Sequence, residues 1–336
     1  DEPTTALSND EIDHLFGILN NLKKEGKSFI FISHKMPEVF TIADRYTVLR
    51  NGEFIGAGNV ADTTPELVTK MMVGESYSAS NFYIPRELGE PVLEIEDFSG
   101  HAFRHVDLTV QKGEILGLTG LQGSGSSEFL WTLFGALPCT GGTLTIHGTK
   151  INRHHIHGAM KSRMSLLPPD RKENSVIGDV TLLENMYISE HELSGRQQLI
   201  RRKQEEQRYE NLRQLLAIKA NDSGDAITSL SGGNQQKVFL ARWLNTDADI
   251  LLLDNPTQGI DVGAKAEIYK LILQLAESGK TILINTLELP ELIKVADKCA
   301  VFYDGEVIKV LNHDEIDEHT VMMYATNAIE AGEEIE

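Results

Sequence analysis

Long apolar runs are missing from this chain: nowhere in its 336 residues does a stretch approach the roughly 18 apolar residues of a membrane-spanning helix. Its opening residues do not read as a signal peptide either. Any role at a membrane must therefore run through a partner. Cysteine is scarce, with Cys139 and Cys299 far apart and in no CxxC pair, which suits a reducing cytosol. Basic residues are in deficit, 31 against 50 acidic, for a formal net charge of −19. Nucleic-acid binding rests on Lys and Arg neutralising phosphates, so this balance weighs against that class. Convincing metal clusters are wanting too. His147, His154, His155 and His157 lie close together but have no cysteine partners and sit among turn-forming residues, which favours a surface loop.

The most telling residues present are Leu230-Ser231-Gly232-Gly233-Asn234-Gln235-Gln236-Lys237, followed by the apolar run Ile250-Leu251-Leu252-Leu253 that ends on Asp254. A Ser-Gly-Gly turn brings backbone N–H groups against a phosphate, because glycine permits close approach and a positive φ. The helix predicted over 235–244, with Val238, Leu240, Ala241 and Leu244 apolar, aims its positive N-terminal end at the same place. The apolar run reads as a buried parallel strand that delivers Asp254 at its C-terminal edge, where α/β sheets bind ligands. Upstream, a strand over 115–119 leads into Gly120-Leu121-Gln122-Gly123-Ser124-Gly125-Ser126-Ser127, and a helix pattern begins at Glu128. Strand, glycine-rich loop and helix form the context of a phosphate-binding loop, but the lysine expected after Gly125 is Ser126.

Together these segments resemble the signature motif, Walker B strand and P-loop of ATP-binding cassette (ABC) ATPases. The resemblance implies an α/β P-loop NTPase cassette: a RecA-like parallel-sheet core with an antiparallel β-subdomain and a helical subdomain. It implies ATP and Mg²⁺ as cofactors. ATP would be bound by Gly120, Gly123, Ser124, Gly125, Ser126 and Ser127 of the loop, and by Ser231, Gly232, Gly233 and Gln235 of the signature. Ser127 and Asp254 would hold the metal.

The chain also repeats itself at an offset of 253, which carries Asp1 onto Asp254. Pro3-Thr4 falls on Pro256-Thr257, Gly26-Lys27 on Gly279-Lys280, Ala43-Asp44 on Ala296-Asp297 and Gly52-Glu53 on Gly305-Glu306. The apolar pattern of Phe29 to Ile32 matches that of Ile282 to Ile284 and predicts a strand. Residues 1–75 are therefore expected to be the C-terminal part of a first cassette, from its Walker B aspartate onward and truncated at the N-terminus. Residues 76–90 form a linker of Ser, Asn, Pro and Gly composition. Residues 91–328 form a second cassette that starts with strand, turn, strand over 91–111, and residues 329–336 an acidic tail. The charged stretch 197–219 has helical period and a solvated face.

The resemblance assigns Asp1 to the metal, Glu2 to polarising the attacking water, and His34 to hydrogen bonding the γ-phosphate. At the same offsets the second copy carries Asn255 and Leu287. An amide accepts no proton from water, and losing a general base typically costs about 10²–10⁴-fold. Leucine makes no hydrogen bond to phosphate. Ser126 removes a charge whose attraction is worth about 4 kcal/mol at ~4 Å in an effective dielectric near 20. Three losses fall on one pocket, which is expected to turn over ATP poorly. ABC sites are shared between cassettes, so Glu2 and His34 are expected to work with Ser231, Gly232 and Gly233 of the second copy, beside a P-loop upstream of Asp1.

Over essentially the whole chain, LSGGNQQK, Leu251 to Lys265, Lys112 to Leu121 and Leu133 to Pro138 resemble the tandem ATPase subunits of bacterial monosaccharide importers of the ribose, galactose, xylose and autoinducer-2 type. That implies a peripheral protein on the cytoplasmic face of the membrane. Its partners would be permease subunits and, through them, a sugar-binding protein, with the two cassettes paired intramolecularly and no nucleic acid. Leu167 to Lys172 and Thr181 to Met186 would face the permease. Asn255, Leu287 and Pro169 depart from the family pattern. Two other classes stay open: a soluble tandem-ABC factor of ribosomes or nucleic acid, against which the short acidic linker speaks, and a non-catalytic regulatory cassette.

Overall fold

The computed structural model describes residues 3–4, 9–33, 36–50, 53–73, 83–151, 155–195 and 200–328. The chain divides into two compact units, Asp1–Ser80 with Asp261–Ala266, and Asn81–Ile260 with Glu267–Glu336.

The first unit runs α1 (Asn9–Lys24), α2 (Met36–Ile42), β1 (Arg45–Arg50), β2 (Glu53–Asn59) and α3 (Pro65–Val73). β1 and β2 pair antiparallel. Phe16, Ile42, Val48, Val60 and Val68 are buried. The strand predicted over Phe29 to Ile32 does not form: residues 28–33 carry no regular structure, and Ile30 is 94% exposed. An apolar run of this kind is a strand only between partners that satisfy its backbone, and none of the described strands pairs with it.

The second unit continues β3 (Pro91–Ser99), β4 (Val106–Gln111), β5 (Ile115–Gly120), α4 (Ser126–Leu133), β6 (Gly141–Ile146), β7 (Thr149–Lys150), α5 (Ile156–Lys161) and β8 (Met164–Leu167). Next come α6 (Arg171–Asn174), α7 (Leu182–Ser194), α8 (Arg202–Leu215), α9 (Gly232–Leu244), β9 (Ile250–Asp254) and α10 (Val262–Glu277). The last elements are β10 (Thr281–Asn285), α11 (Leu289–Val295), β11 (Lys298–Tyr303), β12 (Glu306–Asn312) and α12 (Glu318–Ala325). Six strands form one sheet in the order β12-β11-β5-β10-β9-β8, parallel except for the β11–β12 pair. A second, antiparallel sheet has the order β4-β3-β6-β7.

The period of two in the central strands divides their side chains between two cores. Leu251 and Leu253 of β9 join Ile282 and Ile284 of β10 and the side chains of α7, α9 and α11. Ile250, Leu252 and Leu283 join Leu116 and Leu118 of β5, the antiparallel sheet and α4. Every residue of β9 and β10 is buried, so these strands read as unbroken apolar runs. Burying each such Leu or Ile contributes roughly 1.5–3 kcal/mol.

Elements recur at the offset seen in the sequence. Asn9 and Val262 start helices 253 positions apart, as do Met36 and Leu289, and Arg45 and Lys298 start strands at the same separation. Of the stretch expected to be a linker, residues 83–90 are among those described. From Tyr83 onward it is fixed to the second unit: the Tyr83 ring stacks on His313 at 3.5 Å, Arg86 pairs with Asp297 at 2.5 Å, and the Gly89 N–H donates to Lys112 O at 2.9 Å. The acidic tail, 329–336, lies outside the described residues.

Candidate functional site

β5 ends at Gly120 and α4 starts at Ser126, two residues earlier than the apolar pattern indicates. Gly125 caps α4 with φ +94°, and Gly123 has φ +82°, left-handed values at which a side chain would be strained. A Cβ on Gly125 would lie 2.4 Å from Ala102 O, so only glycine lets the loop turn here. The helix starts with unpaired N–H groups and a positive dipole end, as an anion cradle requires. Ser126, where the lysine is absent, is buried, with its hydroxyl 3.4 Å from that of Ser124. Ser127 donates to Asp254 Oδ2 at 2.5 Å.

Asp254, at the C-terminal end of β9, is fully buried. It accepts three further hydrogen bonds: from Trp131 Nε1 at 3.0 Å on Oδ2, and from Asn255 Nδ2 at 3.1 Å and Asn285 Nδ2 at 2.7 Å on Oδ1. Asn285 ends β10 directly opposite Asp254, and β10 lies between β9 and β5, so register alone brings it to the site. Trp131 follows Ser127 by one helical turn and shares its face of α4. Neither residue stands out as functional in the sequence, although the i, i+4 relation to Ser127 was a usable signal for Trp131. Asn255 has φ +46°, a left-handed conformation that asparagine tolerates better than glutamate does. Leu287, 253 positions after His34, is 54% exposed and apolar.

The signature differs from expectation in one respect. α9 begins at Gly232 rather than at Gln235, and neither Gly232 nor Gly233 adopts a positive φ. Ser231 is the N-cap, its hydroxyl accepts from Asn234 Nδ2 at 2.9 Å, and the first helical bond runs from Gln235 N to Ser231 O at 2.9 Å. The N–H groups of Gly232 and Gly233 therefore fall in the first turn, where a helix has no internal acceptors for them. Glycine serves here by leaving that turn bare. Gln235 turns its side chain back onto Ile227 O and Leu230 O, both at 3.2 Å, and so fixes the approach to the helix.

The candidate residues thus form two groups within the second unit: Gly120, Gly123, Ser124, Gly125, Ser126 and Ser127 with Asp254, and Ser231, Gly232, Gly233 and Gln235. Asp1, Glu2 and His34 lie outside the described residues. So does His154. His155 caps α5 by accepting the Gly158 N–H at 2.9 Å, and His147 lies 3.2 Å from Asp249. Among the described residues no group of three His, Cys, Asp or Glu is placed to hold a metal ion.

The segment expected to meet a permease is tied to the signature helix. Arg242 of α9 is buried, and burial pushes its pKa down to about 10. It donates to Asn185 O at 2.7 Å, Asn185 Oδ1 at 3.0 Å and Ser175 O at 2.9 Å. Asn185 in turn donates to the carbonyls of Ile177, Val180 and Thr181.

Residues 103–258, which hold the glycine loop, the signature and Asp254, match the model of the ABC transporter family. The ribose import ATP-binding protein of Bacillus cereus is 36% identical over 327 residues, which are 97% of this chain and 66% of that protein. The D-allose import ATP-binding protein of Escherichia coli is 38% identical over 337 residues, with the same coverage. The chain belongs to the ABC transporter family. It spans 66% of the length of these import proteins. A nucleotide-free ATP-binding cassette from an ABC transporter superposes with a TM-score of 0.62 at 21% identity, covering 70% of this chain and 98% of its own, a likeness of fold. The matched residues include Gly120 to Ser127, Ser231 to Gly233 and Asp254.

Proposed function

We propose that this chain belongs to the ATP-hydrolysing subunit of a bacterial importer that couples ATP binding and hydrolysis to uptake of a monosaccharide. The observation that carries the proposal is a Ser-Gly-Gly turn that opens α9 in the same unit as a glycine loop without its lysine. The N–H groups of Gly232 and Gly233 fall in the first turn of α9, while Ser126, Asn255 and Leu287 stand in the second copy where a lysine, a glutamate and a switch histidine would serve hydrolysis. A signature retained under those conditions serves a nucleotide held elsewhere. In this proposal that nucleotide belongs to the first copy, where Glu2 orients the attacking water and His34 senses the γ-phosphate. Asp1 would hold Mg²⁺ there, and the ion would supply positive charge to the phosphates. A lysine-bearing P-loop is not among these 336 residues, so the proposed site takes one from outside them. The second copy would then bind and position, and the first would react.

The monosaccharide class is supported by relatives named for ribose and D-allose import. No helix among the described residues is long and apolar enough to cross a membrane. In this proposal the chain works with integral-membrane permease subunits and, through them, a sugar-binding protein. The protein would act at the cytoplasmic face, docking through 167–172 and the start of α7.

One experiment tests the division of labour. In the whole protein, Glu2→Gln should abolish ATP turnover by the usual factor for a lost general base, about 10²–10⁴, while Asn255→Ala should leave it within about twofold. Equal losses from the two substitutions would overturn the proposal.

A further inference from the structure

A carboxylate offers two oxygens and about four lone-pair positions. On Asp254 all four are taken: Ser127 Oγ and Trp131 Nε1 on Oδ2, Asn255 Nδ2 and Asn285 Nδ2 on Oδ1. Mg²⁺ requires near-octahedral oxygen ligands at about 2.0–2.1 Å and keeps several waters. A carboxylate reaches it by direct ligation or by accepting a hydrogen bond from one of those waters, and both need an open lone pair. Ser127 alone suits the ion, because its oxygen retains lone pairs after donating its proton. The other three groups do not. An indole N–H donates only, and the amides of Asn255 and Asn285 present Nδ2, not oxygen, to Asp254. The left-handed backbone at Asn255 turns that side chain back onto the aspartate. The residues present therefore do not fit a divalent cation bound in the manner of the family.

We infer that the pocket between the glycine loop and β9 excludes divalent cations, with hydrogen-bond donors in place of the metal. Trp131 is the positioning residue of this arrangement: from one turn along α4 it holds Asp254 in a purely hydrogen-bonded role. Anionic ligands approach this loop against backbone N–H groups without a bridging cation. The inference rests on the proposed function only in taking this loop as the phosphate-binding loop of the second copy.

The test is a count of protein-bound Mn²⁺ by equilibrium dialysis on the 336-residue chain, with and without ATP, for the wild type and for Asp254→Asn. The expected result is no bound Mn²⁺ that depends on Asp254. Bound Mn²⁺ in the wild type that disappears in Asp254→Asn would overturn the inference. A constructive variant adds a second arm. Trp131→Phe with Asn255→Glu removes two of the four donors and adds a carboxylate, keeping the aromatic bulk in α4. It should raise Mn²⁺ affinity in the presence of ATP by about tenfold or more, the usual scale for changes around a metal ligand. Circular dichroism confirms that the variant is folded, and a folded variant with no such gain would also overturn the inference. Turnover in Glu2→Gln concerns the other copy, so failure of the proposed transport function leaves these outcomes unchanged.

Discussion

Thr257 donates its hydroxyl to both carboxylate oxygens of Glu291, at 2.8 Å each, and all three atoms are buried in the second unit. Thr286 supplies a further hydroxyl to Glu291 at 3.2 Å. The first unit repeats the tie: Thr4 donates to Glu38 at 2.6 Å, and Ser33 to the same oxygen at 3.3 Å. The residues correspond at the 253-residue offset, so a hydrogen-bond arrangement recurs and not merely a composition. In the second unit it ties Thr257, three residues after the end of β9, to α11.

Thr257→Val keeps the shape and removes the donor. Leaving a buried carboxylate short of a hydrogen bond costs about 1–3 kcal/mol. Urea denaturation should show a loss of that size, seen as a lower midpoint with an unchanged slope. Thr4→Val should act in the same direction on the transition of the first unit. An unchanged midpoint in Thr257→Val would remove the tie from the structural account.

The parts legible in the sequence were those where burial dictates residue type. β9 and β10 are covered on both faces, so they appear as unbroken apolar runs, and the glycines at 123 and 125 mark backbone that only glycine adopts without strain. The run at 29–32 shows the limit. Its pattern is that of 282–284, yet it forms no strand, because strand formation depends on neighbours a local pattern does not report. The start of α9 was misplaced by three residues because glycine has low helix propensity, and a Ser N-cap with tertiary packing outweighs it. Asn285 and Trp131 reach Asp254 through sheet register and helical spacing, and neither is a property of any short motif.

The two cysteines should differ sharply in reactivity. Cys139 is exposed, whereas Cys299 is buried in β11, where burial pushes its thiol up to about 12. Thiolate is the reactive form, so a thiol reagent at pH 8 should label one cysteine in the native protein and two in denaturant. The raised pKa also has a stability consequence. Below about pH 9 the Cys299 thiol is neutral in both states and contributes no pH dependence. Between about 9 and 12 the unfolded chain loses this proton and the folded one keeps it, so stability falls as pH rises through that window. Cys299→Ala should flatten that part of the profile. Rapid labelling of both thiols under native conditions would contradict the burial.

Arg242 links α9 to α7 through Asn185, and to the segment before α7 through Ser175. Arg242→Met fills similar space with no donors and leaves those buried carbonyls short of partners. A loss of about 1–3 kcal/mol is expected, and Arg242→Lys should recover only part of it, because an ammonium cannot span the same acceptors as the planar fork. Thermal unfolding of the three proteins, read beside sugar uptake by the whole transporter, checks this. Uptake should fall more steeply than ATP binding if the helix-to-helix tie transmits closure. Parallel losses would reduce Arg242 to a structural role.

Gly232 is the sharpest test of the signature, because stability and function should move apart there. It is the first residue of α9, and its N–H belongs to the turn that has no helical acceptors. An aspartate at such a position interacts favourably with the helix dipole, by about 0.3–1 kcal/mol. Gly232→Asp should therefore leave the melting temperature unchanged or slightly raised. In the proposed shared site the same carboxylate places negative charge where a phosphate oxygen would approach the N–H groups. ATP turnover and uptake by the whole protein should consequently collapse, while ATP binding to the open first copy, measured by titration, stays near wild type. If α9 were only a structural helix, a substitution that suits its N-terminus would be silent. Near-normal uptake in a folded Gly232→Asp protein would refute the role of the signature in capping a phosphate.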